Sequence, residues 1–226
     1  MKYAVLTYII GNNQEKLREP LIIDKDVEYI CITNLKNLSS KNWKIVFDDV
    51  QANCQRDKVS YIKFNPFKYT QAEKILILDG SHEIKTSLLP LFNELDNYDI
   101  MLKQHPASKS VEEELLKWKK QRNLSDISFG KIINAAKVSN TLLNQIPVYE
   151  CCAMLIKNND FTKHIFYANL DLMKIFGIEN KLIITQQCTF SYLLYTFFKN
   201  LKIGHIKTGT YFNRFHHCSN VINPWN

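Results

Sequence analysis

Residues 74–84 read KILILDGSHEI, and this stretch decides the fold. Large apolar residues run without interruption up to Asp79, which is typical of a strand that helices cover on both faces. The carboxylate of Asp79 is therefore expected at the carboxyl edge of a sheet, where open α/β folds bind their ligands. Gly80 would let a ligand or another backbone segment approach closely. The plainer alternative is an Asp-Gly turn that ends the strand and binds nothing.

Similar strand signals recur along the chain and alternate with helical spacing. The predicted strands cover residues 3–10, 27–33, 43–48, 74–79, 98–103, 148–156 and 203–206. The predicted helices cover about 53–65, 88–95, 110–122, 131–144, 160–176 and 185–201. This alternation predicts an α/β fold with a mostly parallel sheet flanked by helices. In the last helix, the 3–4 spacing predicts one buried face made of Phe190, Leu193, Leu194, Phe197, Phe198 and Leu201.

The bulk composition fits one domain and limits the kind of partner. The chain has 226 residues, of which 46% are hydrophobic, enough for a single core. The net charge of +7 favours polyanions or phosphorylated small molecules, although a lysine-rich surface without a specific partner is the simpler explanation. The six cysteines include no C-x-x-C pair, which argues against a zinc ribbon or a thioredoxin-like site.

The setting expected from the sequence is the reducing cytoplasm. Four of the cysteines lie within apolar stretches and would behave as small hydrophobic residues. No cleavage site follows the first apolar run, and no stretch approaches the length of a membrane span. Peripheral contact with the inner face of a membrane stays open.

A second group of candidate residues surrounds His105-Pro106. His105 follows a predicted strand, and Glu112, Glu113 and Glu114 open the next helix. Ser110 and Glu113 have the Ser-x-x-Glu spacing of a capping box, so the acidic residues could serve the helix start alone. Alternatively, His105 and a glutamate could bind sugar hydroxyls, since imidazole and carboxylate groups donate and accept the hydrogen bonds that sugars need.

Taken in order, several segments resemble one glycosyltransferase-like family of the A-type fold, which occurs in bacterial polysaccharide loci and in plants. The matching segments are VLTYIIG (5–11), EYICITN (28–34), LILDGSHEI (76–84), KQHPASKSVEEE (103–114), VYECCAMLI (148–156) and TQQCTFSYLL (185–194). The A-type signature is a hydrophobic strand that runs into Asp-x-Asp, and here Ser81 replaces the second Asp. The resemblance implies a Rossmann-like mixed sheet in one domain and a UDP- or GDP-sugar donor. It also implies a glycan or lipid-linked acceptor and usually Mn²⁺ or Mg²⁺.

That resemblance gives the candidate residues their expected roles. Asp79 would anchor the metal with help from Ser81 or His82, because hard cations prefer oxygen ligands and share them with diphosphate oxygens. Gly80 and His105 would contact substrate, and Glu113 matches the acidic position of the family. The expected halves are a nucleotide-sugar half, about 1–104, and a closing half, about 105–208, followed by a tail, 209–226.

Polar residues at other predicted element ends complete the expected binding set. Thr33 and Asn34 follow the second strand and are expected to contact the nucleoside. Gln186 stands where the family has an acid, and an amide cannot take a proton. We therefore expect Gln186 and Gln187 to orient sugar hydroxyls and Glu113 or Glu150 to serve as the general base. The alternative is that both glutamines simply open a helix.

The C-terminal stretch RFHHC (214–218) supplies two more candidates. His217, followed by Asn223-Pro224-Trp225, loosely resembles the C-terminal motif of glycogenin-like transferases, in which a histidine completes the metal site. Arg214 could contact the diphosphate, for which a guanidinium is well suited. A tail without a function in the site is the alternative.

Two rival functions fit the sequence less well. A nucleic-acid-binding protein would explain the positive charge, but the basic residues are dispersed along the chain, so no nucleic-acid partner is expected. A metal-dependent hydrolase could use Asp79, His82, His105 and His217. Such an enzyme normally has a denser ligand set, for example H-E-x-x-H, which the sequence lacks.

Overall fold

A computed structural model describes residues 1–11, 16–52, 55–122, 126–176 and 186–215. Its strands are β1 Tyr3–Ile9, β2 Val27–Thr33, β3 Lys44–Phe47, β4 Lys74–Leu78, β5 His82–Ile84, β6 Ile100–Gln104, β7 Tyr149–Lys157, β8 Ile203–His205 and β9 Phe212–Arg214. Its α-helices are α1 Gln55–Lys63, α2 Leu89–Glu94, α3 Val111–Arg122, α4 Asp126–Val138, α5 Asp160–Phe176, α6 Gln186–Phe197 and α7 Thr208–Tyr211. Short 3-10 helices cover Pro66–Lys68, Leu95–Asn97 and Leu143–Gln145.

The main sheet of the described residues has seven strands in the order β3-β2-β1-β4-β7-β6-β8. Strands β3, β2, β1 and β4 run parallel to one another, and β8 runs parallel to β6. Strand β7 lies antiparallel to both β4 and β6. The α/β class with a mixed sheet flanked by helices is therefore confirmed.

Strand β4 lies at the centre of the sheet, and apolar residues cover both of its faces. All five of its residues are buried. Ile75 and Ile77 pack into one core, whereas Leu76 and Leu78 pack into the core on the opposite face. Each fully buried side chain of this size contributes about 1.5–3 kcal/mol to stability. A continuous apolar run is the sequence expected for such a strand, since successive side chains point to opposite faces.

Two helix predictions needed correction. The helix expected at about 131–144 spans Asp126–Val138, and a 3-10 turn follows at Leu143–Gln145. In α6, the first part of the predicted apolar face is buried, but Phe197 is 60% exposed because the helix ends there and the chain turns away. None of the helices within the described ranges is long and apolar enough to cross a membrane.

The segment expected to begin a tail at residue 209 instead starts with regular structure. Strand β9 pairs antiparallel with β5, which places Arg214 opposite His82. Phe212 is 3% exposed, and the amide of Lys85 donates to the carbonyl of Tyr211 over 3.0 Å. This pairing brings the chain back to the turn after β4. Residues 216–226, with His217, lie outside the described part of the chain.

Candidate functional site

The candidate site lies where β4 and β6 end and β7 begins. Because β7 is antiparallel to both neighbours, its first residues meet their carboxyl ends. The amide of Asp79 donates to the carbonyl of Cys152 over 2.9 Å, and the amide of His105 donates to the carbonyl of Val148 over 2.9 Å. The pairing of β6 with β7 shifts register after Leu102, an irregularity of the kind that often borders active sites. This edge gathers Asp79, Glu150 and His105 in one region.

Asp79 is held by two partners from other elements. Lys63, the last residue of α1, places its Nζ 2.9 Å from Oδ1 of Asp79. The hydroxyl of Tyr8 donates to the same oxygen. Burial raises the pKa of Asp79, but the Lys63 charge and these hydrogen bonds outweigh it and hold the pKa below its usual value. Burial in turn lowers the pKa of Lys63, and the charge of Asp79 more than offsets this. Both groups therefore stay charged at neutral pH.

Within the described part of the chain, the residues around Asp79 do not fit a divalent metal. Its Oδ1 already binds an ammonium group, and the Ser81 hydroxyl lies 3.3 Å from Nδ1 of His82. The His82 ring is buried and packs edge-on against Phe212, with burial first among the causes that lower its pKa. Its Nε2 has no hydrogen-bond partner among the described residues, but one orphaned nitrogen does not make a ligand set. Within the described ranges, no group of three or more His, Cys, Asp or Glu residues is placed to hold a metal.

Glu150 forms a second centre of charge. Its Oε2 accepts from Lys103 and lies 3.5 Å from Nη1 of Arg214, and the thiol of Cys152 donates to it over 3.2 Å. Burial raises the pKa of Glu150. The hydrogen bond and charge of Lys103 have a larger opposite effect and hold the pKa below its usual value. A general base works best with a pKa near the operating pH. Glu150 is therefore better suited to orienting Lys103 and Arg214 than to taking a proton.

His105 lies between Glu150 and Glu114. Its Nδ1 accepts hydrogen bonds from the amides of Ala107 and Ser108 at 3.2 and 2.8 Å. Its Nε2 lies 3.9 Å from Oε1 of Glu114 and 4.0 Å from Oε1 of Glu150. The imidazole therefore presents an N–H group to two carboxylates.

The acidic residue of α3 that reaches the site is Glu114. Glu114 is 3% exposed and accepts from the Ser108 hydroxyl, from Trp118 Nε1 at 2.6 Å and from Gln187 Nε2 at 2.8 Å. Burial raises the pKa of Glu114, and the hydrogen bonds from Ser108 and Trp118 bring it below its usual value. Gln187 thus belongs to the site and does not point into solvent.

Glu113, which the family pattern favoured, is exposed and serves the start of α3. Its Oε2 accepts from the amide of Lys109 at 2.9 Å, and its own amide donates to the Ser110 hydroxyl at 3.2 Å. The capping interpretation of this residue therefore accounts for its contacts. The sequence held a signal for Glu114, because it shares the helical face of the buried Val111 and Leu115, where an unpaired charge would be costly.

Thr33 and Asn34 hold the neighbouring loops together. Thr33 is fully buried, and its hydroxyl donates to the carbonyl of Ile9 at 2.7 Å. Because Thr33 is buried, its expected contact with a nucleoside stays a prediction. Asn34 is half-buried and accepts from the amide of Gly11 at 3.0 Å, so its contact with a nucleoside stays a prediction. Gly80 is buried in the turn that the amide of His82 closes onto the carbonyl of Asp79 at 3.0 Å.

Sequence reasoning missed the cationic partners of the two carboxylates. Lys63 and Lys103 each lie within an otherwise ordinary helix or strand pattern, and neither stands next to its partner in the sequence. Gln186 donates to the hydroxyl of Ser60, one turn before Lys63 on α1. Its expected contact with sugar hydroxyls stays a prediction.

Comparisons with known proteins identify the fold. Mouse xyloside xylosyltransferase 1 in its apo form aligns with 92% of this chain and 86% of its own, at 8% identity and a TM-score of 0.50. The glycosyltransferase GlyE of Streptococcus pneumoniae TIGR4 aligns with 92% of this chain and 46% of its own, at 10% identity and a TM-score of 0.50. The galactosyltransferase LgtC, solved with donor and acceptor sugar analogues, aligns with 91% of this chain and 73% of its own, at 10% identity and a TM-score of 0.49.

This chain has the glycosyltransferase A-type fold, a mixed α/β sheet flanked by helices. No protein-family model matches the sequence, and no curated protein matches it. The resemblance to the family of bacterial polysaccharide loci therefore stays a hypothesis.

Proposed function

We propose that this chain is a glycosyltransferase that moves a hexose-like sugar from a UDP- or GDP-sugar to a glycan or lipid-linked acceptor. The observation that supports the proposal most strongly is the cluster of carboxylates, cations, one imidazole and one amide at the carboxyl edge of an A-type sheet. The cluster comprises Asp79, Glu114 and Glu150 together with Lys63, Lys103, His105, Gln187 and Arg214.

The chemistry of the cluster matches the two halves of such a donor. Lys103 and Arg214 carry positive charge beside Glu150, and cations of this kind bind diphosphates through charge-assisted hydrogen bonds. Carboxylates and an amide can hold sugar hydroxyls, which both donate and accept hydrogen bonds. Asp79 keeps 29% of its side chain exposed, so it can accept from a bound sugar while Lys63 holds it.

In the proposed reaction, the bond between the anomeric carbon and the diphosphate oxygen breaks, and a bond to the acceptor hydroxyl oxygen forms. Lys103 and Arg214 would stabilise the charge on the departing nucleoside diphosphate. The acceptor hydroxyl gives its proton to an oxygen of the departing diphosphate or to water, because Glu150 is tied to two cations and Glu113 caps a helix. The resemblance also implies Mn²⁺ or Mg²⁺, but no step is assigned to a metal that the described residues do not fit. With a lipid-linked acceptor, the enzyme would work in the cytoplasm at the inner face of the membrane.

A panel of UDP- and GDP-sugars tests the proposal by thermal shift. A ligand at 100-fold over its Kd stabilises the protein by about 2.7 kcal/mol, which gives a clear shift in Tm. We expect one donor to stabilise the wild type and to lose its effect in Lys103→Met. Lys157→Met, a change at the far end of β7, is the matched control. If no donor shifts the Tm while single-stranded oligonucleotides do, the chain is a nucleic-acid-binding protein. Release of sugar to water alone would identify a hydrolase.

A further inference from the structure

The position of Lys63 is set by the core next to it. Lys63 ends α1, where the helix dipole favours a cation. The next residue, Phe64, has no exposed surface and packs against Phe166 and Phe190, with ring centroids 5.4 and 5.2 Å apart. Because these rings are close-packed, the end of α1 cannot shift far, and the Lys63 side chain emerges at Asp79.

The Lys63 ammonium is buried, and its surroundings match a cation. Its side chain is 6% exposed, and Nζ lies 2.9 Å from Oδ1 of Asp79 and 5.5 Å from the centre of the Tyr8 ring. A buried charge is costly unless it is paired and hydrogen-bonded. Moving Lys63 away from Asp79 would separate the buried ammonium from its carboxylate partner, so the pair is the resting arrangement of the site.

A divalent ion at Asp79 would have to share this carboxylate with the ammonium. Like charges at such short range repel strongly in a partly buried site. Mg²⁺ and Mn²⁺ also prefer several oxygen ligands. Here Ser81 stands in place of a second carboxylate, and its hydroxyl lies within hydrogen-bond distance of His82.

We propose that Lys63 is the resident cation at Asp79 and takes the electrostatic place of a divalent metal, so that the chain binds its nucleoside-diphosphate donor without metal. This inference rests on the proposed function and deepens it. Lys63 neutralises Asp79 and presents it to the donor sugar as a fixed hydrogen-bond acceptor. Lys103 and Arg214 carry two positive charges beside the single negative charge of Glu150, so a net positive charge faces the diphosphate.

The test uses the full chain after treatment with EDTA and dialysis. Mn²⁺ binding is followed by the electron paramagnetic resonance of the free ion, and UDP and GDP binding is followed by calorimetry in EDTA and in Mn²⁺. For the wild type we expect no tight Mn²⁺ site and a nucleotide affinity that differs by less than about twofold between EDTA and Mn²⁺. Lys63→Met should weaken nucleotide binding about tenfold or more in both conditions, whereas Lys63→Arg should keep most of it.

The matched control is Lys74→Met, at the start of the same strand that ends before Asp79. Lys74 is similarly buried, with 8% of its side chain exposed, and lies 2.7 Å from Asp96. Its replacement should cost stability without changing nucleotide affinity or its response to Mn²⁺. If Lys63→Met fails to fold, the nucleotide affinities of the wild type in EDTA and in Mn²⁺ are enough to test the inference.

Stoichiometric Mn²⁺ binding to the wild type that disappears in Asp79→Asn or His82→Ala overturns the inference. A nucleotide affinity that requires Mn²⁺ overturns it as well. Failure of both UDP and GDP to bind under every condition counts against the proposed function, and the Mn²⁺ titration then still decides whether Lys63 keeps metal from Asp79.

Discussion

Gln187 donates a hydrogen bond from Nε2 to Oε1 of Glu114 over 2.8 Å, and this contact joins α6 to α3 at the candidate site. The two residues are 73 positions apart in the chain. Glu114 also accepts from Ser108 and Trp118, so neighbouring donors hold its carboxylate in place. The contact fixes the amide of Gln187 beside the carboxylate that faces His105.

Gln187→Ala should weaken catalysis more than stability. Loss of a hydrogen bond to a charged group costs about 1.5–3 kcal/mol at most, so the variant should remain folded. We expect a higher KM for the donor or a lower kcat, measured by release of nucleoside diphosphate. Wild-type kinetics in a folded Gln187→Ala protein would show that the residue serves only to join the two helices.

Glu113 and Glu114 should differ sharply, although they are adjacent. Glu113→Ala removes a surface contact at a helix start and should cost about 0.5–1 kcal/mol of the free energy of unfolding. Glu114→Ala removes the acceptor of the buried Ser108 hydroxyl and of the half-buried Trp118 and Gln187, and should cost about 3 kcal/mol. Urea denaturation of both variants measures this, and equal losses would contradict the assignment of Glu114 to the site.

Asp79→Asn should lower both activity and stability, because it removes the charge partner of a buried ammonium. Transfer activity should fall on the order of 10²-fold, and the free energy of unfolding should fall by about 2 kcal/mol. The double variant Lys63→Met/Asp79→Asn has no charge left at this pair and should regain most of the stability but none of the activity. If the double variant instead loses as much free energy of unfolding as the two single variants together, Lys63 and Asp79 are not directly coupled.

Arg214→Gln should weaken nucleotide binding without a large change in stability. Its side chain is 45% exposed and lies 3.5 Å from Glu150, and contacts of this kind add little to folding. Deletion of residues 209–226 is a poorer test, since it also removes β9 and the buried Phe212. A chain that ends after Phe215 tests His217 separately. Unchanged UDP and GDP affinities in both variants would remove Arg214 and His217 from the site.

Stability should fall as the pH drops below about 6.5, partly because of His82. Burial lowers the pKa of His82 in the folded protein, so the unfolded chain takes up a proton first as the solution becomes more acidic. The contribution of the neutral His82 ring to stability is complete above about pH 6.5, the pKa of histidine in the unfolded chain. It is lost as the pH falls toward the lower pKa of His82 in the folded protein. In His82→Leu, the urea midpoint should change less between pH 7 and about 5 than it does in the wild type. An unchanged slope in this variant would assign the effect to other groups.

The sequence predicted those features of the fold that depend on local pattern. Strand β4 and helix α5 were found with nearly correct bounds, because burial on both faces or along one helical stripe leaves a direct trace in neighbouring residues. The place of Asp79 at the end of β4 followed from the same pattern. The burial of Thr33 and the exposure of Phe197 could not be predicted, because both depend on which segment packs against them.

The sequence by itself determined the α/β class, the order of the main elements and the carboxylate at the strand end. Only the tertiary structure decided that β7 runs antiparallel and so brings Glu150 to the same edge. It also decided that Lys63 and not a neighbouring residue pairs with Asp79, and that Glu114 rather than Glu113 meets Gln187. The physical reason is the range of the interactions. Backbone conformation and apolar periodicity are set among residues a few positions apart, whereas a buried charge is stabilised by whichever opposite charge the packed chain brings within hydrogen-bond distance.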